Sequence, residues 1–249
     1  MTGETAVSRL PFDAEVFEPE NLQSDLTVVF VHHFGGSKAT LRRHIQFFNA
    51  LGFRAVGFSM TSRFRVYFGE LPVSSEFEFG LKHVYAEQIN SVLNAIPGRK
   101  IIYAFSNPCG SAIEAVASRH GTDVAALICD SGPTANVWRS TLSYVNKENS
   151  IPLLPLRAAF SALYSFTWSP QVNQEIAKDL ASLPEGFKIL SVRGWKDTII
   201  PPASIDPVFR PHSNLDWRKL GLPEAGHLDG LKNHKDDYAA GVMQFLKQL

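Results

Sequence analysis

Apolar and polar positions along the chain fall into two kinds of block. Residues 26–31, 53–59, 100–105, 124–129, 188–192 and 215–220 read as strands, and the continuous apolar run 26–31 is long enough for one buried on both faces. Between them, apolar residues recur three and four apart over residues 38–51, 76–95, 108–120 and 236–249, the period of a helix. The longest of these puts Leu81, Tyr85, Ile89, Val92 and Ile96 on a broad stripe. Phe79, His83, Ala86, Asn90 and Leu93 form a second, and Pro97-Gly98 ends the helix. Strand followed by helix, repeated, predicts an α/β protein with a mostly parallel central sheet and helices on both faces.

Two regions break the rhythm. Residues 1–23 hold one or two weak edge strands around residues 14–17. Residues 133–187 interrupt the alternation with about fifty residues rich in Leu, Phe, Tyr and Trp, a length that marks a lid or cap inside a domain. The expected organisation is a core of residues 1–132 and 188–249 carrying a mainly helical cap, 133–187. Leu153, Leu154, Leu156, Phe160, Leu163, Tyr164, Phe166 and Trp168 read as the core of that cap. Where its inner face lines a pocket, substrates with an apolar acyl or alcohol part are favoured. A helix over residues 171–183, with Pro170 and Pro184, completes the cap.

Composition narrows the functional classes. The 24 basic residues equal the 24 acidic ones, so no positive field calls for a nucleic-acid partner. No apolar run reaches the length of a membrane span, and the acidic opening residues lack the apolar stretch of a secretion signal. The expectation is a cytoplasmic protein acting on a small molecule, with no membrane span. Cys109 and Cys129 lie in apolar segments and read as buried free thiols. The histidines lack metal-ligand spacing, so neither a metal nor another cofactor is expected.

Three segments carry complementary chemistry. Ala104-Phe105-Ser106-Asn107-Pro108 ends an apolar strand in a serine and enters a helix at once, a sharp turn that pushes the hydroxyl out towards a substrate. Trp195-Lys196-Asp197-Thr198-Ile199-Ile200-Pro201 places a carboxylate in the loop after another strand. Ala225-Gly226-His227 places a histidine after the last. A serine hydroxyl needs a base, and the base needs a carboxylate to fix its tautomer. All three residues fall past the C-terminal ends of strands, where open α/β sheets bind ligands. Asp130 also follows a strand directly and is a rival for the acid, although it equally suits a turn cap before Pro133.

These segments resemble the α/β-hydrolase superfamily, in the order Ser, Asp, His, over roughly residues 26–132 and 187–249. Val28-Val29-Phe30-Val31-His32-His33-Phe34-Gly35-Gly36 is similar to the family's strand and oxyanion segment. The resemblance implies Ser106 as nucleophile, His227 as base and acid, and Asp197 as orienting acid. It further implies the backbone N–H groups of Phe34 and Asn107 as oxyanion hole, with His33 and Phe105 as candidates for the substrate pocket. The activity implied is cleavage of a carboxylic ester or thioester through an acyl-enzyme. The same residues would serve a C–C bond hydrolase or a perhydrolase, and a binding protein that kept the fold is a further alternative. Two departures stand out. The usual Gly-x-Ser-x-Gly is Ala104-x-Ser106-x-Pro108, which suits Asn107 as N-cap and Pro108 at the first helical position. His33 stands where the family commonly has glycine. Phe105-Ser106-Asn107 with Asp130-Ser131-Gly132-Pro133 is also similar to a superfamily branch that has a Phe-Ser-Asn-Gly elbow and an Asp-Ser-x-Pro turn.

Overall fold

A computed structural model describes residues 10–61, 72–76, 78–148 and 153–249. The opening residues 1–9, part of the stretch read above for a secretion signal, lie outside these. Seven strands form one sheet: β1 (Glu15–Phe17), β2 (Thr27–Val31), β3 (Arg54–Gly57), β4 (Lys100–Phe105), β5 (Val124–Asp130), β6 (Phe187–Gly194) and β7 (Leu215–Leu222). Their order is β1-β3-β2-β4-β5-β6-β7. Only β1 runs antiparallel, against β3, and the other pairings are parallel. This is the mostly parallel sheet that the alternation predicts.

The apolar runs are continuous because neighbouring residues serve opposite faces. Val29 and Val31 of β2, with Ile102 and Ala104 of β4, enter one core layer under α2 (Leu81–Ala95), α3 (Cys109–Ser118) and later helices. Val28 and Phe30, with Ile101, Tyr103 and Phe105, enter the other, under α1 (Arg42–Ala50) and the C-terminal helix. From β2 the chain steps outward to β3 and then returns past β2 to β4. The sheet therefore reverses its winding between β2 and β4, which opens a crevice at their C-terminal ends.

Local differences from the sequence reading have local causes. Residues 38–51 begin as a 3₁₀ turn, Lys38–Leu41, before α1. α2 starts at Leu81 and not at 76, because Gly80 at φ +141° turns the chain just after a bridge between Val73 and Phe79. Residues 133–187 do not behave as one unit. α4 (Val137–Glu148) and α5 (Leu154–Trp168) pair with each other and contribute to a cavity at the strand ends. α6 (Val172–Ala181) instead packs Val172, Ile176 and Leu180 into the core layer beside α3. The segment over the crevice is thus α4 with α5. α7 (Pro202–Phe209), α8 (Gly230–Asn233) and α9 (Lys235–Leu246) complete the fold. Among the described residues no helix is long and apolar enough to cross a membrane.

Candidate active site

Ser106 occupies the first position past β4 at φ +59°, a left-handed conformation that costs a non-glycine residue of order 1 kcal/mol or more. The turn is held on both sides. The Ser106 N–H donates to the Asp130 carbonyl at 2.8 Å, and the Ser106 carbonyl accepts from the Cys109 N–H at 3.0 Å. Gly132 lies directly beneath: a Cβ on it would sit 2.2 Å from the Ser106 carbonyl oxygen. Only glycine lets the chain after β5 approach the serine turn this closely.

The loops after β6 and β7 are stitched together. The Lys196 N–H donates to the Ala225 carbonyl at 2.9 Å, and a Cβ on Gly194 would collide with that same carbonyl, 2.3 Å away. This contact seats Asp197 under His227. Asp197 Oδ1 accepts the N–H groups of Ile199 and Ile200, each at 2.8 Å. Its Oδ2 lies 2.7 Å from His227 Nδ1, and the carboxyl side chain is fully buried. A carboxylate only accepts, so Nδ1 carries the proton and Nε2 presents its lone pair. That lone pair lies 3.1 Å from Ser106 Oγ. The arrangement can take a proton from the serine hydroxyl and return it to a leaving group.

Asp130, the rival acid, is fully buried under a different set of groups. Tyr103 Oη donates to its Oδ2 at 3.2 Å, Tyr238 Oη lies at 3.4 Å, and the Ser131 hydroxyl donates to Oδ1 at 3.1 Å. Burial pushes this carboxyl up to about 6 against those hydrogen bonds. His227 Nδ1 donates to Asp197 and not to Asp130.

The loop after β2 supplies the facing wall. His32 is buried and donor-locked: Nε2 accepts the Met60 N–H at 2.8 Å, so Nδ1 carries the proton and donates to the His33 carbonyl at 2.7 Å. Burial holds its pKa below the ordinary value. This anchors the backbone leading to Phe34. Among the described residues, neither the Phe34 nor the Asn107 N–H is taken by a protein acceptor, and both residues line the cavity beside Ser106. His33 lines it too, its pKa lowered by burial and by the neighbouring His32 and His227.

Some expected placements are corrected. Phe105 does not reach the cavity; strand alternation turns its ring into the opposite core layer, against Tyr103 and His44. Helix α3 starts at Cys109 with Pro108 as its cap residue, and the Asn107 side chain does not cap it: its Oδ1 is buried without a partner among the described residues. The left-handed turn at Ser106 already places Asn107 on the helical spiral, its own carbonyl accepting the Gly110 N–H at 2.9 Å. Cys109 is buried beneath the turn, its thiol donating to the Ala104 carbonyl at 3.3 Å.

The cavity has a volume of about 270 Å³. The apolar residues expected along it are elsewhere. Leu153, Leu154, Leu156, Phe160, Leu163 and Phe166 face outward, Trp168 is buried in the core, and of that set only Tyr164 lines the cavity. Ser140, Thr141, Tyr144 and Lys147 of α4 lie beside it, and none of these four was identified from sequence.

A second cluster of charges joins α2, α3 and α6 away from the crevice. The buried Lys82 ammonium pairs with Glu114 at 2.5 Å, Asp179 at 3.2 Å and Glu175 at 3.5 Å. His83 Nδ1 lies 2.8 Å from Glu114 and 3.3 Å from Glu78. Burial alone would lower this imidazole's pKa, but hydrogen bonds to Glu114 and Glu175 outweigh it and raise the value to about 9. Glu78, His83 and Glu114 bring ligand-type atoms within 4.8 Å of one another, a grouping the sequence spacing concealed. A proton on His83 and the Lys82 ammonium already serve these carboxylates.

No family model and no curated protein matches the sequence. Solved structures do match in shape. An esterase from Pyrococcus furiosus is 15% identical, with a TM-score of 0.63 over 100% of this chain and 95% of its own. An esterase from Exiguobacterium antarcticum is 13% identical, with a TM-score of 0.59 over 94% of both chains. A meta-cleavage product hydrolase from Pseudomonas fluorescens IP01, 13% identical, gives 0.58 over 94% of both. A hydrolase from Oleispira antarctica and an α/β hydrolase from a deep-sea metagenome library match similarly.

Proposed function

We propose that this chain, which has the α/β-hydrolase fold, is a serine hydrolase cleaving a small carboxylic ester or thioester through an acyl-enzyme. The observation that carries the proposal is the unbroken line from Asp197 Oδ2 through His227 to Ser106 Oγ, with spacings of 2.7 Å and 3.1 Å, ending on a strained serine at a cavity.

In this reading His227 removes the Ser106 proton as Oγ attacks the ester carbonyl. Asp197 holds the imidazole in its Nδ1–H tautomer and stabilises the cation that forms. The oxyanion is received by the Phe34 and Asn107 N–H groups, which have no protein acceptor to give up among the described residues. One such donor is worth about 3–4 kcal/mol in the transition state. His227 then protonates the leaving alcohol or thiol. Water then attacks the acyl carbonyl, giving its proton to the same imidazole, which returns it to Ser106 Oγ as the acyl–serine bond breaks and the acid leaves. Pro108 does not obstruct this sequence, since the donor belongs to Asn107.

A fluorophosphonate probe is expected to label Ser106, and Ser106→Ala to abolish both labelling and the hydrolysis of 4-nitrophenyl butyrate. Undiminished turnover in Ser106→Ala would overturn the assignment.

A further inference from the structure

The wall of the cavity supplied by α4 and α5 is polar. Ser140, Thr141 and Tyr144 of α4 and Tyr164 of α5, four hydroxyl-bearing residues, line it. Lys147, three residues beyond Tyr144 and so on the same face of the helix, brings an ammonium. No Asp or Glu lines this cavity among the described residues, and Lys147 makes no ion pair there. The surrounding segment is one-sided in charge: from residue 131 to residue 174 Arg139, Lys147 and Arg157 stand against a single acid, Glu148.

A second observation points the same way. Tyr164 Oη is buried and has no hydrogen-bond partner among the described residues. Its ring stands edge-on to Phe34, which also lines the cavity, with centroids 4.7 Å apart, and this contact holds the ring in place. Folded proteins rarely leave a buried hydroxyl unpaired, because its lost hydration is not recovered. An acceptor from a ligand would restore the bond. A buried hydroxyl donor and a cation that has neither an ion pair nor a competing carboxylate among the described residues are what a carboxylate requires.

Resting on the hydrolase reading, we infer that the substrate carries a carboxylate on the part of the ester lodged against α4, received by the Lys147 ammonium and the Tyr164 hydroxyl. The enzyme is then selective for half-esters of dicarboxylic acids, or for esters of a carboxylated alcohol, over neutral esters of the same length.

The test compares the 4-nitrophenyl monoester of glutaric acid with 4-nitrophenyl valerate, and 4-carboxyphenyl acetate with phenyl acetate. In at least one pair kcat/KM is expected to favour the carboxylated member by about tenfold, the worth of one charge-assisted hydrogen bond. That ratio collapses towards one in Lys147→Gln and inverts in Lys147→Glu. It falls in Tyr164→Phe and holds in Arg139→Gln, a change on the same helix outside the cavity. Calorimetric titration of glutarate into the wild-type protein and Lys147→Gln gives a readout independent of turnover, with binding expected only in the former. Neutral members preferred in both pairs, or a carboxylate preference that survives Lys147→Gln, would overturn the inference while leaving the hydrolase reading standing. If no ester turns over and Ser106 takes no probe, the hydrolase reading falls. The glutarate titration then decides the anion site alone, and absence of binding refutes it.

Discussion

Replacing Gly132 by alanine tests how tightly the nucleophile turn depends on its neighbour. The new methyl carbon would sit 2.2 Å from the Ser106 carbonyl oxygen, 2.6 Å from its carbonyl carbon and 3.0 Å from its Cα. All three are backbone atoms, so no side chain can rotate away. The serine turn cannot retreat freely either, because its N–H is bonded to Asp130 and its carbonyl to the Cys109 N–H. Reaching even the shortest tolerable contact moves the two backbones apart by about 0.8 Å, and a misplacement near 1 Å costs roughly 10²-fold in rate. Overpacking of this kind costs about 2 kcal/mol, which in a chain of this size lowers Tm by about 4–8 °C. The assay is kcat/KM on a 4-nitrophenyl ester together with fluorophosphonate labelling rate and thermal unfolding. Both kinetic readouts are expected to fall about a hundredfold while the fold persists. A Gly132→Ala protein with unchanged Tm and unchanged labelling would refute the close-contact argument.

Four further outcomes follow from the structure. Asp197→Asn is expected to lower kcat by about 10³–10⁴-fold by favouring the wrong His227 tautomer, while Asp130→Asn costs less than about tenfold; the reverse order of losses would make Asp130 the acid. His44 is buried with its Nε2 unpaired among the described residues, and burial, helped by the Arg43 charge, lowers its pKa to about 3. The unfolded chain binds this proton first, so stability falls as pH drops from about 6.5 towards 3, by roughly 2–5 kcal/mol. His44→Leu should flatten urea-midpoint curves across that window, and an unaltered slope would count against it. The opposite sign holds for His83: its pKa of about 9 means the charged imidazole stabilises fully below about 6.5 and the contribution is lost as pH rises through 9. Lys82→Met leaves Asp179 without its cation and Glu114 and Glu175 with His83 alone, and is expected to cost about 3–5 kcal/mol by chemical denaturation, whereas a neutral effect would show that the network relaxes.

What could be read from the sequence depended on whether a residue's surroundings are set along the chain or across it. The buried strands were legible because both of their faces are covered, which leaves a continuous apolar run such as Val28–Val31. Ser106, Asp197 and His227 could be grouped because parallel strands send their C-terminal ends to one edge, so residues 121 apart in sequence meet there. The α5 stripe misled. Its period specifies a helix with an apolar face but not which way that face turns, and here it turns outward while Tyr164 points to the cavity. Helix 171–183 was read as cap because it sits between the same two strands, yet Ile176 and Leu180 belong to the core layer. Lys147 and Tyr144 had no signature, since a lysine and a tyrosine on an amphipathic helix look alike whether they meet solvent or a ligand. Gly132 was read within a turn motif, but its closeness to Ser106 is a contact across two strands that spacing does not encode.

The two rims of the sheet bear on how the chain behaves in a crowded solution. β3 would otherwise end the sheet with apolar Ala55 and Val56 and an open row of amide and carbonyl groups, and the three residues of β1 close that row from the antiparallel side. β1 itself is short and carries Glu15, whose carboxylate is engaged by Lys38 at 3.1 Å. The far rim, β7, displays Asp216, Arg218 and Lys219. Charge on both rims and brevity on one discourage a stray strand from adding itself there. Three weakly patterned residues near the start of the chain thereby guard the sheet against self-association, a service separate from any chemistry at its other end.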